Sequence, residues 1–321
     1  MTFLRAIYVK YFRGTALGNA GRRLWYWNWQ NAATGARQRS FGLPLFRWYR
    51  DGIERAGLFR HRASYVVRYY WPRLRTGLSW LVKSRETSNF TFDLTPRNEA
   101  HLAQLLSFVL GCSWEEIAGY ITELQQDQLL RDTIAERVGV LGRQSGYDPI
   151  ARFGRRVGWY ALVRATKPKV VVETGVEKGI GATVLCAALR RNSQEGHPGR
   201  YFGTDIDRGA GMLFCQPYRA MGEILFGDSI QALSGLDATV DLFINDSDHS
   251  ADYERREYRV IAPKLSDNAM IIGDNAHVTD ELIKFSRETN RQFLFFREEP
   301  ADHWYLGAGI GLSFKELRSK R

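Results

Sequence analysis

Two short acidic clusters carry most of the chemistry legible in this chain. Asp246-Ser247-Asp248-His249 follows one apolar run, and Asp274-Asn275 follows another, 28 and 29 positions beyond Asp246. Asp246, Asp274 and Asn275 offer three hard oxygen donors. Such donors suit Mg²⁺, which keeps its other positions for water or substrate. His249 stands three residues after Asp246. A hydroxyl is a poor nucleophile at neutral pH; a bound metal lowers its pKa and a nearby base takes the proton. Two adjacent hydroxyls could chelate the metal, so a vicinal diol on a sugar or an aromatic ring is the natural acceptor. Plainer roles compete: Asp246 could cap the following helix, and Asp248 reads as that cap. His277 reads as first-turn helix, and Asp302-His303-Trp304-Tyr305 either overhangs the site or forms an ordinary aromatic loop.

A second constellation lies upstream. Glu173-Thr174-Gly175-Val176-Glu177-Lys178-Gly179-Ile180-Gly181 joins an apolar run to a helical pattern. Glycines let such a loop turn sharply, and the helix N-terminus presents free N–H groups to an anion. The spacing differs from the Gly-x-Gly-x-x-Gly dinucleotide fingerprint. Asp205, at the end of the next apolar run, is placed to accept from two ribose hydroxyls. Asp228-Ser229 ends a third run, where a carboxylate can meet the exocyclic amine of an adenine.

These residues need a frame. From residue 169 onward, strand-like runs at 169–174, 200–206, 222–227, 240–245, 269–273, 293–297 and 309–314 alternate with helical stretches at 179–192, 208–220, 250–263 and 277–290. Continuous apolar strands such as Val170-Val171-Val172 predict a parallel sheet covered on both faces. The fold class is α/β, a doubly wound Rossmann-like seven-stranded sheet. The last two strands, joined without a helix, form an antiparallel edge hairpin. Upstream, Thr95-Pro96 starts a helix, and Ser113-x-x-Glu116 opens another, so 95–140 reads as a helical bundle segment. The expected division is 1–90, 91–146 and 147–321.

The order of these motifs resembles class I S-adenosylmethionine-dependent methyltransferases, over about residues 147–315. By that resemblance Glu173, Gly175 and Gly179 line the methionine end of the cofactor, Asp205 the ribose, and Asp228 with Ser229 the adenine. The acid, base and Asp-Asn spacing looks like catechol O-methyltransferase. It is also similar to macrocin-type sugar O-methyltransferases, which favour an acid where this chain has Asn275. The resemblance implies Asp246, Asp274 and Asn275 as metal ligands and His249 as base. The acceptor expected is a small-molecule or glycan hydroxyl. Two alternatives stay open: a metal-independent methyltransferase acting on protein or nucleic acid, and a non-catalytic S-adenosylmethionine-binding protein. Enzymes that methylate nitrogen in DNA typically carry Asn/Asp-Pro-Pro-aromatic after the fourth strand, where this chain reads Asn245-Asp246-Ser247-Asp248.

Charge divides the chain unevenly. Of the net +10, residues 1–90 hold 15 Arg and 2 Lys against Asp51, Glu54 and Glu86, and six of the nine Trp. Arginine interleaved with aromatics suits an anionic membrane surface or self-association. No nucleic-acid motif accompanies it, so nucleic acid is a poor partner. The many glycines there, with Pro44 and Pro72, predict a mostly helical region of short helices. No apolar run is long enough to span a bilayer, the first residues do not read as a secretory signal, and Cys112, Cys186 and Cys215 show no Cys-x-x-Cys spacing. Buried free thiols and a cytoplasmic location, peripheral to the membrane at most, are the expectation.

Overall fold

A computed structural model describes residues 42–315, with side chains from Asp51 onward except that of Ile53. The chain divides into two compact units, Met1–Arg75 and Thr76–Arg321. The expectation of short helices in the basic region is corrected, because one helix, α1, runs Gly42–Lys83 through Gly52, Gly57, Pro72 and Gly77. A glycine weakens a helix by about 1 kcal/mol and a proline by about 3 kcal/mol without obliging it to end. Once nucleated, the flanking turns propagate across them. No helix among the described residues is long and apolar enough to cross a membrane.

Three helices follow: α2 (Pro96–Leu110), α3 (Trp114–Gln126) and α4 (Gln128–Leu141). Thr95 and Ser113 cap the first two, accepting from the amides of Asn98 and Glu116 as their spacing demands. Buried Leu102, Leu106 and Val109 recur at helical spacing and turn α2 toward α5 (Arg156–Thr166), whose residues Val157–Val163 are all buried.

The sheet alternates with its helices: β1 (Val170–Thr174), α6 (Ile180–Gln194), β2 (Arg200–Asp205), β3 (Gly222–Phe226), α7 (Ser229–Gly235), β4 (Val240–Asn245), α8 (Ala251–Ile261), β5 (Leu265–Gly273), α9 (Glu281–Glu288), β6 (Gln292–Arg297) and β7 (Gly309–Phe314). The seven strands run in the order β3-β2-β1-β4-β5-β7-β6. β1 to β5 pair in parallel, while β7 lies antiparallel to β5 and β6. The edge hairpin read from the sequence is therefore present.

Strand periodicity builds both cores. Val171, Leu242 and Ile244 face the layer containing α5 and α6, and Val172, Phe243 and Ile271 face Tyr258, Ile261 and Phe285. Burying both faces is why these strands read as unbroken apolar runs.

Two helical expectations need correction. Residues 208–220 form no α-helix; Gly209, Gly211 and Pro217 interrupt the pattern, and only a short 3₁₀ turn, Tyr218–Met221, remains. Conversely α7 follows β3 where none was expected. Its seven residues offer too little periodicity to register.

Candidate active site

The carboxyl ends of β1, β2, β3, β4 and β5 open into a cleft of about 610 Å³. Asp205, Asp228, Asp246, His249, Asp274 and Asn275 all line it, as do Gly175 and Ser229. Strand order explains the convergence: β1, the strand bearing the glycine loop, lies between β2 and β4, and β5 lies beside β4. Gly175 has φ +81°, and a Cβ there would come 2.0 Å from the Asp246 carbonyl oxygen. Only glycine lets the β1 loop pass this close to the end of β4.

The Asp205 carboxylate is held open to the cleft by two amides, accepting from Glu177 N at 2.7 Å and Asp207 N at 2.8 Å. Asp228 caps α7, accepting from Gln231 N at 3.0 Å, and receives the Tyr253 hydroxyl at 3.0 Å. Ser229 donates instead to buried Glu257, which also accepts from Thr174, Asn245 and Ser247. Burial pushes Glu257 up to about 7 against these four donors. The network ties β1, β4, α7 and α8 together directly behind the cleft.

Two expected cofactor residues are not among those lining the cleft. Glu173 is buried, accepts from the Tyr201 hydroxyl at 2.5 Å, and is raised to about 7 by burial. Gly179 packs against Gly211, where a Cβ would approach Gly211 Cα to 2.9 Å.

Asp246, His249 and Asp274 each offer one ligand atom, all within 4.8 Å of one another. Asp246 is raised well above the usual carboxylate range, by burial first and by the Asp274 charge beside it second. Asp274 goes the other way. Burial opposes its ionisation, but Arg155 more than overcomes this and holds it below the ordinary range. Arg155, which the sequence reading missed, clasps both Asp274 oxygens through Nε and Nη2, the latter at 2.6 Å. Its Nη1 lies 3.8 Å from Glu298. No motif or spacing marks such a residue in the sequence, since it stands 119 positions from its partner.

The donor set fits a divalent cation. Arg155 pairs with Asp274, and no arginine among the described residues pairs with Asp246, although Arg155 and Arg156 both act on it through charge. Each carboxylate oxygen has two lone pairs, so Asp274 can meet Arg155 and still offer one to an ion. His249 lies at the edge of this cluster. Its Nε2 is 3.1 Å from the Asn275 amide nitrogen and 3.8 Å from Asp246 Oδ1, while Nδ1 is 3.5 Å from Glu254. The Glu254 carboxylate raises its pKa, with Asp274 adding to the effect against burial and the Arg155 charge.

The other candidates fall elsewhere. Asp248 is not the cap of α8, which is Ser250; it accepts instead from Ser250 N at 2.8 Å, one turn ahead of the helix. His277 lies in a turn before α9 rather than in its first turn. The His303 side chain is buried, paired with Glu86 and packed on Trp80 and Phe92, and it does not line the cleft. Cys112, Cys186 and Cys215 are free, with Cys186 buried and the other two half-buried.

Residues 172–276 match a family model described as a methyltransferase domain. No curated protein matches the chain. Among solved structures, a Klebsiella pneumoniae protein described as an O-methyltransferase is similar at TM-score 0.45 and 17% identity, over 57% of this chain and 90% of that one. A methyltransferase from Geobacter sulfurreducens is similar at TM-score 0.42 and 20% identity, over 57% and 89%. The O-methyltransferase TomG from Streptomyces achromogenes, solved with S-adenosylmethionine, is similar at TM-score 0.42 and 15% identity, over 60% and 91%. Residues 172–276 thus match a methyltransferase domain, and they lie within a seven-stranded α/β sheet with an antiparallel edge hairpin.

Proposed function

We propose that this chain is an O-methyltransferase that acts on a hydroxyl of a sugar, glycan or other vicinal diol, with a divalent metal at Asp246, Asp274 and Asn275. The observation that carries the reading is the meeting of Asp246, His249 and Asp274 in the same cleft as Asp205. Methyl transfer is an in-line displacement: the acceptor oxygen bonds the methyl carbon, the carbon–sulfur bond breaks, and S-adenosylhomocysteine leaves. Its rate depends on holding that oxygen close to the methyl. Bound Mg²⁺ would supply the charge that acidifies the hydroxyl. Glu254 favours the His249 proton on Nδ1, which leaves Nε2 to take the acceptor proton. Asp205 accepts from the ribose hydroxyls, and the end of β3 at Asp228 and Ser229 borders the adenine.

Calorimetry tests the cofactor. S-adenosylhomocysteine should bind the full chain, and Asp205→Ala should weaken it by roughly 10-fold or more, the worth of hydrogen bonds to a charged group. Tight NAD binding with no response to S-adenosylhomocysteine would sink the reading.

For the basic N-terminal region we infer an interaction surface for anionic membrane or for a second copy. In α1, Phe59, Tyr65, Trp71 and Leu74 are each more than half exposed, amid Arg60, Arg62, Arg68, Arg73 and Arg75. Removing residues 1–75 should reduce co-sedimentation with anionic vesicles or collapse a larger assembly in light scattering. Affinity for S-adenosylhomocysteine should stay within about twofold. A loss of that affinity would mean instead that the region completes the catalytic unit.

A further inference from the structure

Arg156 lines the cleft beside Arg155, yet no anionic group among the described residues pairs with it. The residue is 7% exposed and its Nε is buried without a hydrogen bond. Its guanidinium rests on the face of Trp159, with Cζ 5.6 Å from the ring centroid. The other buried arginines among the described residues are all held. Asp274 clasps Arg155, Glu123 and Glu195 clasp Arg164, and the carbonyls of Ala269 and Ser313 take Arg291. A buried cation left unpaired is costly, so an anion is the natural completion of such a site.

The packing around Arg156 indicates what brings that anion. Residues 87–92, outside the matched segment 172–276, pack against the stretch that leads into α5. A Cβ on Gly154 would come 2.7 Å from Phe92 Cε2, and one on Gly146 would come 2.8 Å from Thr87 Oγ1. Thr87 N donates to the Gly146 carbonyl at 3.0 Å, and Asp148 N donates to Thr91 Oγ1 at 3.2 Å. These contacts fix Asn89 and Phe90 in the wall of the cleft. Phe90 stacks on Tyr147, with ring centroids 4.9 Å apart and planes inclined by 19°. Burial raises the Tyr147 hydroxyl above its ordinary range, and the Arg156 charge is the first to oppose that rise. The same charge acts on Asp246 and Asp274. Arg156 therefore reaches, through its charge, both the aromatic wall and the carboxylates assigned to the metal.

An acceptor whose hydroxyls meet that metal has its ring left for Phe90 and its substituents left for Arg156. Asp246, Asp274 and Glu177 already act on the guanidinium, which suits a singly charged carboxylate better than a dianionic phosphate. We propose that the acceptor is a ring diol that carries a carboxylate, with Arg156 selecting that group and Phe90 supporting the ring. The proposal rests on the vicinal-diol reading above and narrows it to acidic acceptors.

Two matched pairs of acceptors test it: 3,4-dihydroxybenzoate against catechol, and the methyl glycoside of glucuronate against that of glucose. Each pair keeps the diol and differs in the carboxylate. With S-adenosylmethionine and Mg²⁺ supplied to the full chain, wild type should favour the acid of at least one pair. The expected preference is roughly 10- to 100-fold in kcat/KM, mostly in KM, the range of a hydrogen bond to a charged group. Calorimetry should show the same acid binding to the chain loaded with S-adenosylhomocysteine and Mg²⁺. Arg156→Gln should shrink the preference below about 3-fold. Arg156→Lys should recover part of it, because the charge stays while the guanidinium fork is lost. If Arg156→Gln does not fold, as read by its Tm, Arg156→Lys carries the test with a smaller drop. Affinity of the folded variant for S-adenosylhomocysteine should stay within about twofold of wild type. Phe90→Ala should weaken acid and neutral diol alike and keep the ratio between them.

Loss of S-adenosylhomocysteine affinity in step with that for the acid would give Arg156 to the cofactor and overturn the proposal. A wild type that methylates the neutral diols as well as the acids would overturn it too, while the vicinal-diol reading stood. A wild type that binds S-adenosylhomocysteine but methylates none of the four would remove the acceptor reading first and this proposal with it.

Discussion

Chelation with EDTA abolishes methyl transfer to vicinal-diol acceptors, and added Mg²⁺ or Mn²⁺ restores it, if the carboxylate pair holds a cation as proposed. The physical ground is the imbalance between Asp246 and Asp274. Arg155 pairs with Asp274 alone, and Asp246 is pushed up by its burial first and by the Asp274 charge second. Two substitutions separate the partners by the sign of their effect on stability. Asp246→Asn removes the buried carboxyl that no arginine pairs with, so the metal-free chain should melt at the same temperature or higher. Asp274→Ala strips Arg155 of its bidentate partner and leaves Glu298 at 3.8 Å, so it should cost about 3–5 kcal/mol, as breaking a buried pair does. Asp274→Asn keeps one acceptor for Arg155 and should cost less. Both asparagine variants should lose Mn²⁺ binding, read by electron paramagnetic resonance, and activity together. Full activity in EDTA would refute the metal site, leaving Arg155 as the fixed cation of the cluster and His249 as a metal-free base.

His249→Ala should cut kcat roughly 100-fold or more, the usual contribution of a positioned base, while Mn²⁺ and S-adenosylhomocysteine still bind. The pH profile gives an independent check, with its sign set by Glu254. A base works only when unprotonated, so activity is present above the His249 pKa and lost as pH falls through it. Because Glu254 raises that pKa above the ordinary histidine value, the acidic limb of kcat should lie above pH 6.5. Glu254→Gln removes the raising charge and should move the limb to lower pH. A limb that stays in place in Glu254→Gln, or that survives in His249→Ala, would assign the proton to another group.

Much of this molecule was legible because its signals are local or periodic. The central strands β1 and β4 show as apolar runs, since a strand buried on both faces has no polar side to interrupt it. Thr95 and Ser113 act as caps because capping depends on an amide three residues away. The acids at the ends of β2, β3, β4 and β5 could be placed on one edge because parallel strands in a doubly wound sheet present their carboxyl ends together. Misreadings arose where a short segment depended on its surroundings: α7 is too brief to show a period, and 208–220 holds helix-like composition between glycines and Pro217.

Only the tertiary structure decided what surrounds those acids. Arg155 reaches Asp274 across 119 residues, and Glu254 reaches His249 from inside α8. Glu257 gathers four donors from β1, α7 and the end of β4. Glu173 accepts from the Tyr201 hydroxyl, 28 positions away. No spacing rule announces such pairs, because they join side chains from elements that meet only when both faces of the sheet are covered. Sequence therefore settles which residues stand at the strand ends. Packing settles which of them are charged, paired or left waiting for a ligand, since burial and neighbouring charge set the energy of each.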